Sequence, residues 1–334
     1  MASSGGLATA FNVAIACSAI FGNGLVIFVM TVRRKHFKSF SNRLIRHQSI
    51  IDFVSGLVFL LMTGIKQTSL LENLEGNIFG VFLCRFIYSD FFVWGLSSVS
   101  TYNLVVISLE RFLATCYPVK HRNYCSLFKI KISMCAAWII GFIYALTFVF
   151  LYTVKWNRCI IIYAISRNFV VAMIPYVIII CEYIIPVILM SFSYIKILLV
   201  LRHKLDNANA NQQDGVFSKA KRNVIMTMLI AGCMFFICWT PVETLRLLLA
   251  IGVIVTDQKT FSVKYASDAF TALVMCNMSV NPVVYCFKYE HFRTQLKQLV
   301  RSRFGRNRVR PGEESTDGPT LSVPAATRST VVVT

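Results

Sequence analysis

Residues 130–152 read IKISMCAAWIIGFIYALTFVFLY, 23 positions carrying one charge, Lys131, close to one end. An apolar run longer than about 18 residues can cross the roughly 30 Å hydrocarbon core of a bilayer as a helix. The run lacks the polar and apolar alternation of a barrel strand. Lipid offers no partner to backbone N–H and C=O groups, so such a segment must satisfy them internally by coiling. Six further stretches read the same way, at residues 8–32, 42–65, 81–114, 169–201, 220–252 and 262–287. The sequence therefore predicts an all-α membrane protein, a seven-transmembrane helix bundle, with no internal repeat.

The totals agree with lipid as the main solvent. Charged residues make up 15% of the chain, against about a quarter in soluble domains, and mean hydropathy is +0.63. A net charge of +19 would suit nucleic acid if it formed a soluble basic face with interleaved aromatics. Here the basic residues lie between apolar runs, so no nucleic-acid partner is expected. Of the 34 Lys and Arg, 26 fall in the first, third and fifth connections with their adjoining span ends and after the last span. By the positive-inside rule that side is cytoplasmic, which puts the amino end outside and the carboxyl end inside, at the plasma membrane. The first apolar run has no basic leader and reads as a span that is retained.

Around the bundle, assigned to residues 8–287, the sequence predicts a short outer amino end (1–7), an amphipathic surface helix (288–304) and a disordered tail (305–334). In the surface helix Phe292, Leu296 and Leu299 recur at helical spacing among cations, the pattern of a helix lying on an anionic membrane surface. Gly305 is its expected stop. The tail is rich in Gly, Pro, Ser and Thr and has too little apolar surface to pack. Its Ser315, Thr316, Thr320, Ser322, Thr327, Ser329 and Thr330 read either as phosphate acceptors that recruit arrestin or as solvated spacer.

Polar and ionisable groups within a span are costly and usually functional. The first span has Gly22-Asn23, the second Asp52, and the third ends in Glu110-Arg111-Phe112. The fourth holds Trp138, the fifth Pro186 and Tyr194, the sixth Phe235 and Cys238-Trp239-Thr240-Pro241. The seventh carries Asn281-Pro282-Val283-Val284-Tyr285. In this order, one set per span, the chain resembles rhodopsin-like (class A) G-protein-coupled receptors, most of all their peptide-receptor branch. The resemblance covers roughly residues 8–302.

That resemblance implies a switch. Arg111 pairs with the neighbouring Glu110 at rest and, once released, contacts a heterotrimeric G protein, with Tyr194 and Tyr285 meeting nearby. Phe112 and Glu110 replace the family's commoner tyrosine and aspartate. Pro241 removes a backbone hydrogen bond and kinks its helix, so that Trp239 and Phe235 can repack. Pro186, Asn281 and Pro282 complete the activation set, with Thr101 where many relatives have isoleucine. Asn23, Asp52, Ser100, Asn277 and Asn281 converge at mid-membrane and offer oxygens suited to a small hard cation, by resemblance sodium at Asp52. Met278 stands where many relatives have a hydroxyl residue, and a hydrogen-bonded network without sodium remains open. No other metal or cofactor is expected.

Of the eleven cysteines, Cys84 and Cys159 fall at loop positions on the oxidising side, and a bridge between them is expected, as in the family. Cys84 lies 27 residues before Arg111, two more than the usual family spacing, so the top of that helix is expected to be irregular. Val93 occupies the place of the amine receptors' aspartate and Met275 that of the retinal lysine, which disfavours a monoamine receptor or an opsin. Charges in the outer halves of the fifth and sixth spans suggest a ligand pocket. In it Glu182 and Glu243 accept a cationic ligand group, Arg246 or Asp268 anchors at the rim, and Trp94 and Tyr183 lie nearby. An internal Glu243 to Arg246 pair at spacing three is the alternative.

The expected function is thus binding of an extracellular ligand, a peptide, and activation of a heterotrimeric G protein. A receptor for a non-monoamine small molecule and a non-signalling scavenging receptor remain open. No nucleophile elbow, histidine metal pair or phosphate loop suggests an enzyme. No paired repeats with broken helices suggest a transporter.

Overall fold

The computed structural model describes residues 2–68, 77–161, 169–208, 215–254 and 261–304. Within them, seven helical segments are long and apolar enough to cross a membrane. α1 (Ala2–Val32) and α2 (Phe40–Ile65) form the first two spans. Ser39, extended at φ −62° and ψ 156°, starts α2 by accepting a hydrogen bond from the Asn42 amide. The third span is composite: α3 (Ile78–Phe82), a π-helical turn over Leu83–Tyr88, then α4 (Phe91–Cys116). Asp90 joins the last two with φ 57°, left-handed backbone for a non-glycine residue. The widened turn and this left-handed joint make the top of the third span irregular, as the spacing of Cys84 and Arg111 leads one to expect.

After α4 comes the short α5 (Pro118–Tyr124), with proline in its first turn, where a missing N–H costs nothing. α6 (Leu127–Leu151) is the fourth span, capped by Ser126. A hairpin follows, β1 (Tyr152–Lys155) against β2 (Arg158–Ile161), with Lys155 opposite Arg158. Its two turn residues, Trp156 and Asn157, have φ 52° and 57°. That is the turn whose twist matches a tight hairpin. The fifth span is α7 (Phe169–Ile179), a second π-helical turn (Ile180–Ile184) and α8 (Ile185–Ala208). α9 (Gly215–Ala250), α10 (Phe261–Lys288) and α11 (Glu290–Phe304) complete the described chain.

α4 is the helix the others share: α2, α6 and α8 pack on it, while α1 lies against α2 and α10, and α9 against α10. Small residues set the closest approach, as expected where van der Waals packing holds helices together in lipid. A Cβ added at Gly141 would stand 2.5 Å from Val99 Cγ2 and 2.7 Å from the Val99 amide nitrogen. Large apolar side chains such as Phe21, Ile139, Ile188 and Ile237 are exposed around the outside, a surface suited to lipid. At one end of the bundle Cys84, in the π turn, is bonded to Cys159 in β2. At the other, α11 packs on α1, with Phe292 fully buried and His291 Nε2 donating to the His36 carbonyl at 3.0 Å.

Element limits differ from the sequence reading in places. The helix of the first span begins earlier than residue 8: α1 is helical from Ala2, and its membrane-length stretch runs Gly6–Val32. Ala2, Ala8 and Ala10 are good helix formers that extend the coil past the apolar core. Conversely, α9 ends at Ala250, short of the expected 252, since Gly252 takes φ 73° and closes the helix. Gly305, the tail 305–334 and its Ser and Thr positions lie outside the described residues.

Candidate functional site

Three polar clusters line the inside of the bundle, one at each end and one midway. At the end opposite the disulfide, Arg111 Nε lies 3.3 Å from Glu110 Oε2. The carboxylate is held from two more directions. Ser41 Oγ donates to Oε2 at 2.5 Å, and His121 Nε2 lies 3.0 Å from Oε1. Glu110 is thereby 6% exposed with both oxygens partnered, and Arg111 is held by the ion pair alone, its Nε making no hydrogen bond among the described residues. Beside it the Tyr289 hydroxyl donates to Asn42 Oδ1 at 2.6 Å, and burial raises its pKa to about 12. Tyr285 is buried, its hydroxyl without a hydrogen-bond partner among the described residues, and the Tyr194 ring packs over Gly232.

Midway, Asp52 is fully buried. Asn281 Nδ2 donates to its Oδ2 at 2.9 Å and Ser100 Oγ to its Oδ1 at 2.8 Å. Gln48 Nε2 lies 3.1 Å from both oxygens and 2.5 Å from Ser100 Oγ. Asn277 and Met278 line the small cavity beside Asp52, together with Trp239. Asn23 points elsewhere, donating to the Ala19 and Met278 carbonyls at 2.9 and 2.8 Å. Of the five residues expected to converge, the structure thus bonds Asp52, Ser100 and Asn281 directly. Asn277 borders the cavity, and Asn23 joins α1 to α10 instead. Gln48 went unnoticed in the sequence because a glutamine one turn before Asp52 matches no motif. The spacing of four, on a helix buried on that face, was the available signal.

Toward the disulfide end, the second π turn carries Glu182 into the bundle, fully buried. Glu243 on α9 is 2% exposed. Between them lies Arg246, whose Nη1 is 2.6 Å from Glu243 Oε1 and 3.6 Å from Glu182 Oε2. Its guanidinium carbon sits 5.4 Å from the Trp94 ring centre, a cation–π contact. Arg246 is therefore the centre of this cluster and not a rim residue, and the internal pair at spacing three is present. Both Glu182 oxygens and Glu243 Oε2 are buried without a hydrogen-bond partner among the described residues. Below, Trp94 stacks on Phe148 at 5.7 Å and meets Trp239 edge-on at 6.4 Å, and Trp239 in turn lies 5.5 Å from Phe235. Tyr183 hydrogen-bonds Thr240 at 2.7 Å, across from Pro241. Pro186 follows the π turn that its missing N–H favours, and Pro282 lies within α10 against Gly22. Asp268 is exposed and makes no ion pair among the described residues, so it stands apart from the acidic pair.

An aromatic column thus runs from the charged cluster near the disulfide to the buried carboxylate of Asp52, and a clasped arginine closes the far end. A model of the rhodopsin family of seven-transmembrane receptors matches residues 22–285. The chain belongs to that family and is a G-protein-coupled receptor, a multi-pass membrane protein of a family of signalling receptors rather than enzymes. It is similar to galanin receptor 2b of Danio rerio, 26% identical over 295 residues covering 86% of this chain and 74% of the relative. It is similar also to galanin receptor type 1 of Homo sapiens, 29% identical over 294 residues covering 84% and 78%. Galanin receptor type 2 of Homo sapiens is 25% identical over 295 residues, covering 85% and 70%.

Proposed function

We propose that this receptor is activated by a peptide that reaches the bundle from the disulfide end, which faces the outside of the plasma membrane. In this reading Arg111 faces the cytoplasm and a heterotrimeric G protein. The observation that carries it is the acidic pair. Two buried carboxylates share one guanidinium, and among the described residues three of their four oxygens are left without a hydrogen-bond donor. Buried anions in that state call for a cation with N–H groups, which a lysine or arginine side chain or an amino terminus of a peptide supplies. The relatives' membership of the peptide-receptor branch supports the same ligand class. Trp94, against the guanidinium and edge-on to Trp239, carries a change at the pair to the aromatic column. Repacking of Trp239 and Phe235 around the Pro241 break then lets Arg111 leave Glu110.

The test is ligand-dependent nucleotide exchange in membranes from cells expressing the chain, challenged with a peptide library that includes galanin. Glu182→Gln and Glu243→Gln should each lower the potency of the active peptide at least tenfold, and Arg111→Ala should abolish exchange at unchanged surface expression. Unchanged potency in both glutamine variants would remove the acidic pair as the docking site. Peptide uptake without exchange would make this a scavenging receptor. Phosphorylation of the tail and capture of arrestin belong to the same proposal and are read by phosphate labelling after stimulation.

A further inference from the structure

The mid-bundle cluster continues, through hydrogen bonds, further than the resemblance implies, and each bond in it has a fixed direction. The Trp138 indole is a donor only, and its Nε1–H lies 3.0 Å from His47 Nε2. That nitrogen must accept, so the His47 proton sits on Nδ1, which donates to Asn103 Oδ1 at 2.8 Å. With its oxygen so engaged, Asn103 turns its amide nitrogen to Gln48 Oε1 at 2.7 Å. Gln48 is then left with N–H groups alone to offer Asp52. The chain passes from α6 to α2, to α4, and back to α2, anchored at one end by a group that cannot reverse.

We propose that the Gln48 amide takes the place of a cation at Asp52, and that this receptor binds no sodium there. A carboxylate presents about four lone-pair sites. Here Oδ1 receives Ser100 and Oδ2 receives Asn281, while one Gln48 N–H is shared between the two oxygens at 3.1 Å and the other goes to Ser100. A sodium ion needs several oxygen ligands, and the central one is taken up on both atoms. Ser100 is committed as well, donating to Asp52 while accepting from Gln48. The side chain at 278, which lines the cavity where an oxygen would help, is a thioether. These residues do not fit a hard cation. A tethered amide supplies permanently the positive hydrogens that an ion would bring, so external sodium cannot set the resting state of this bundle.

The probe is sodium itself, on the purified full-length receptor. Thermal unfolding is compared in about 150 mM NaCl and in choline chloride of equal ionic strength. Wild type should give midpoints within about 1 °C of each other. Gln48→Met keeps the length and removes the donors, and should gain a saturable sodium-specific rise of roughly 3 °C, as for a site filled to about ten times its Kd. Gln48→Glu adds a second carboxylate and should gain more. A sodium-specific rise in wild type that Asp52→Asn removes would overturn the proposal. So would the lack of any sodium response in both Gln48 variants, provided they fold. If neither folds, the wild-type comparison decides alone: no sodium response upholds the proposal, and a response lost in Asp52→Asn overturns it.

Discussion

Replacing Arg246 by glutamine should destabilise the receptor through its two acidic neighbours. At an effective dielectric of about 20, unit charges attract by roughly 6 kcal/mol at the 2.6 Å separation from Glu243 and roughly 5 kcal/mol at the 3.6 Å from Glu182. Desolvation of the three groups offsets most of this gross attraction. Removing one partner of such a buried set nevertheless costs about 3–5 kcal/mol, because the remaining charges stay buried and uncompensated. At about 2–4 °C per kcal/mol in chains somewhat shorter than this one, Arg246→Gln should lower the unfolding midpoint on the order of 10 °C in detergent. The cluster then carries two negative charges in place of a net one. Adding Glu182→Gln and Glu243→Gln brings it to neutrality and should recover more than half of the loss. A midpoint for Arg246→Gln within about 1 °C of wild type would refute the electrostatic reasoning. So would a triple variant no better than the single one, since lost packing against Trp94 would then account for the whole effect.

Gly141→Ala presses a methyl against Val99 and its backbone, and should cost about 1–3 kcal/mol; Val99→Ala in the same chain should return part of it, read by thermal unfolding. Glu110→Gln weakens the clasp on Arg111, so ligand-independent nucleotide exchange should rise severalfold over wild type; exchange no higher than wild type would show that the pair does not restrain the receptor. Tyr289 has a folded pKa raised from about 10 to about 12 by burial, so its stabilising contribution is complete below pH 10 and is lost as pH climbs through 12. The stability advantage of wild type over Tyr289→Phe should therefore shrink across that interval, and an advantage that stays constant would contradict the assignment.

The seven spans were legible because the bilayer imposes one requirement on every residue of a span, and hydropathy reports it directly. Cys84 and Cys159 could be paired from their places outside the membrane, and the bridge is present. Gln48 is legible only as a spacing of four from Asp52: polar residues within spans stand out when they match a pattern, and the role of this one is defined by what α4 brings to it, Asn103 and Ser100. Arg246 was read as a rim residue because one-dimensional spacing gives its pairing with Glu243 but not the reach to Glu182, which depends on the π turn in the fifth span. Helix ends were the least readable, since alanines and a left-handed glycine, not hydropathy, set them at Ala2 and Ala250.

The left-handed joint at Asp90 has a practical bearing on any comparison with other receptors. Below it, the helical phase runs unbroken from Phe91 to Cys116; at Asp90 it breaks and over Leu83–Tyr88 it widens, so a count at 3.6 residues per turn carried back from Arg111 does not give the face of any side chain from Leu83 to Ser89. A substitution meant for one face of the bundle mouth must therefore be placed from the geometry of each stretch separately.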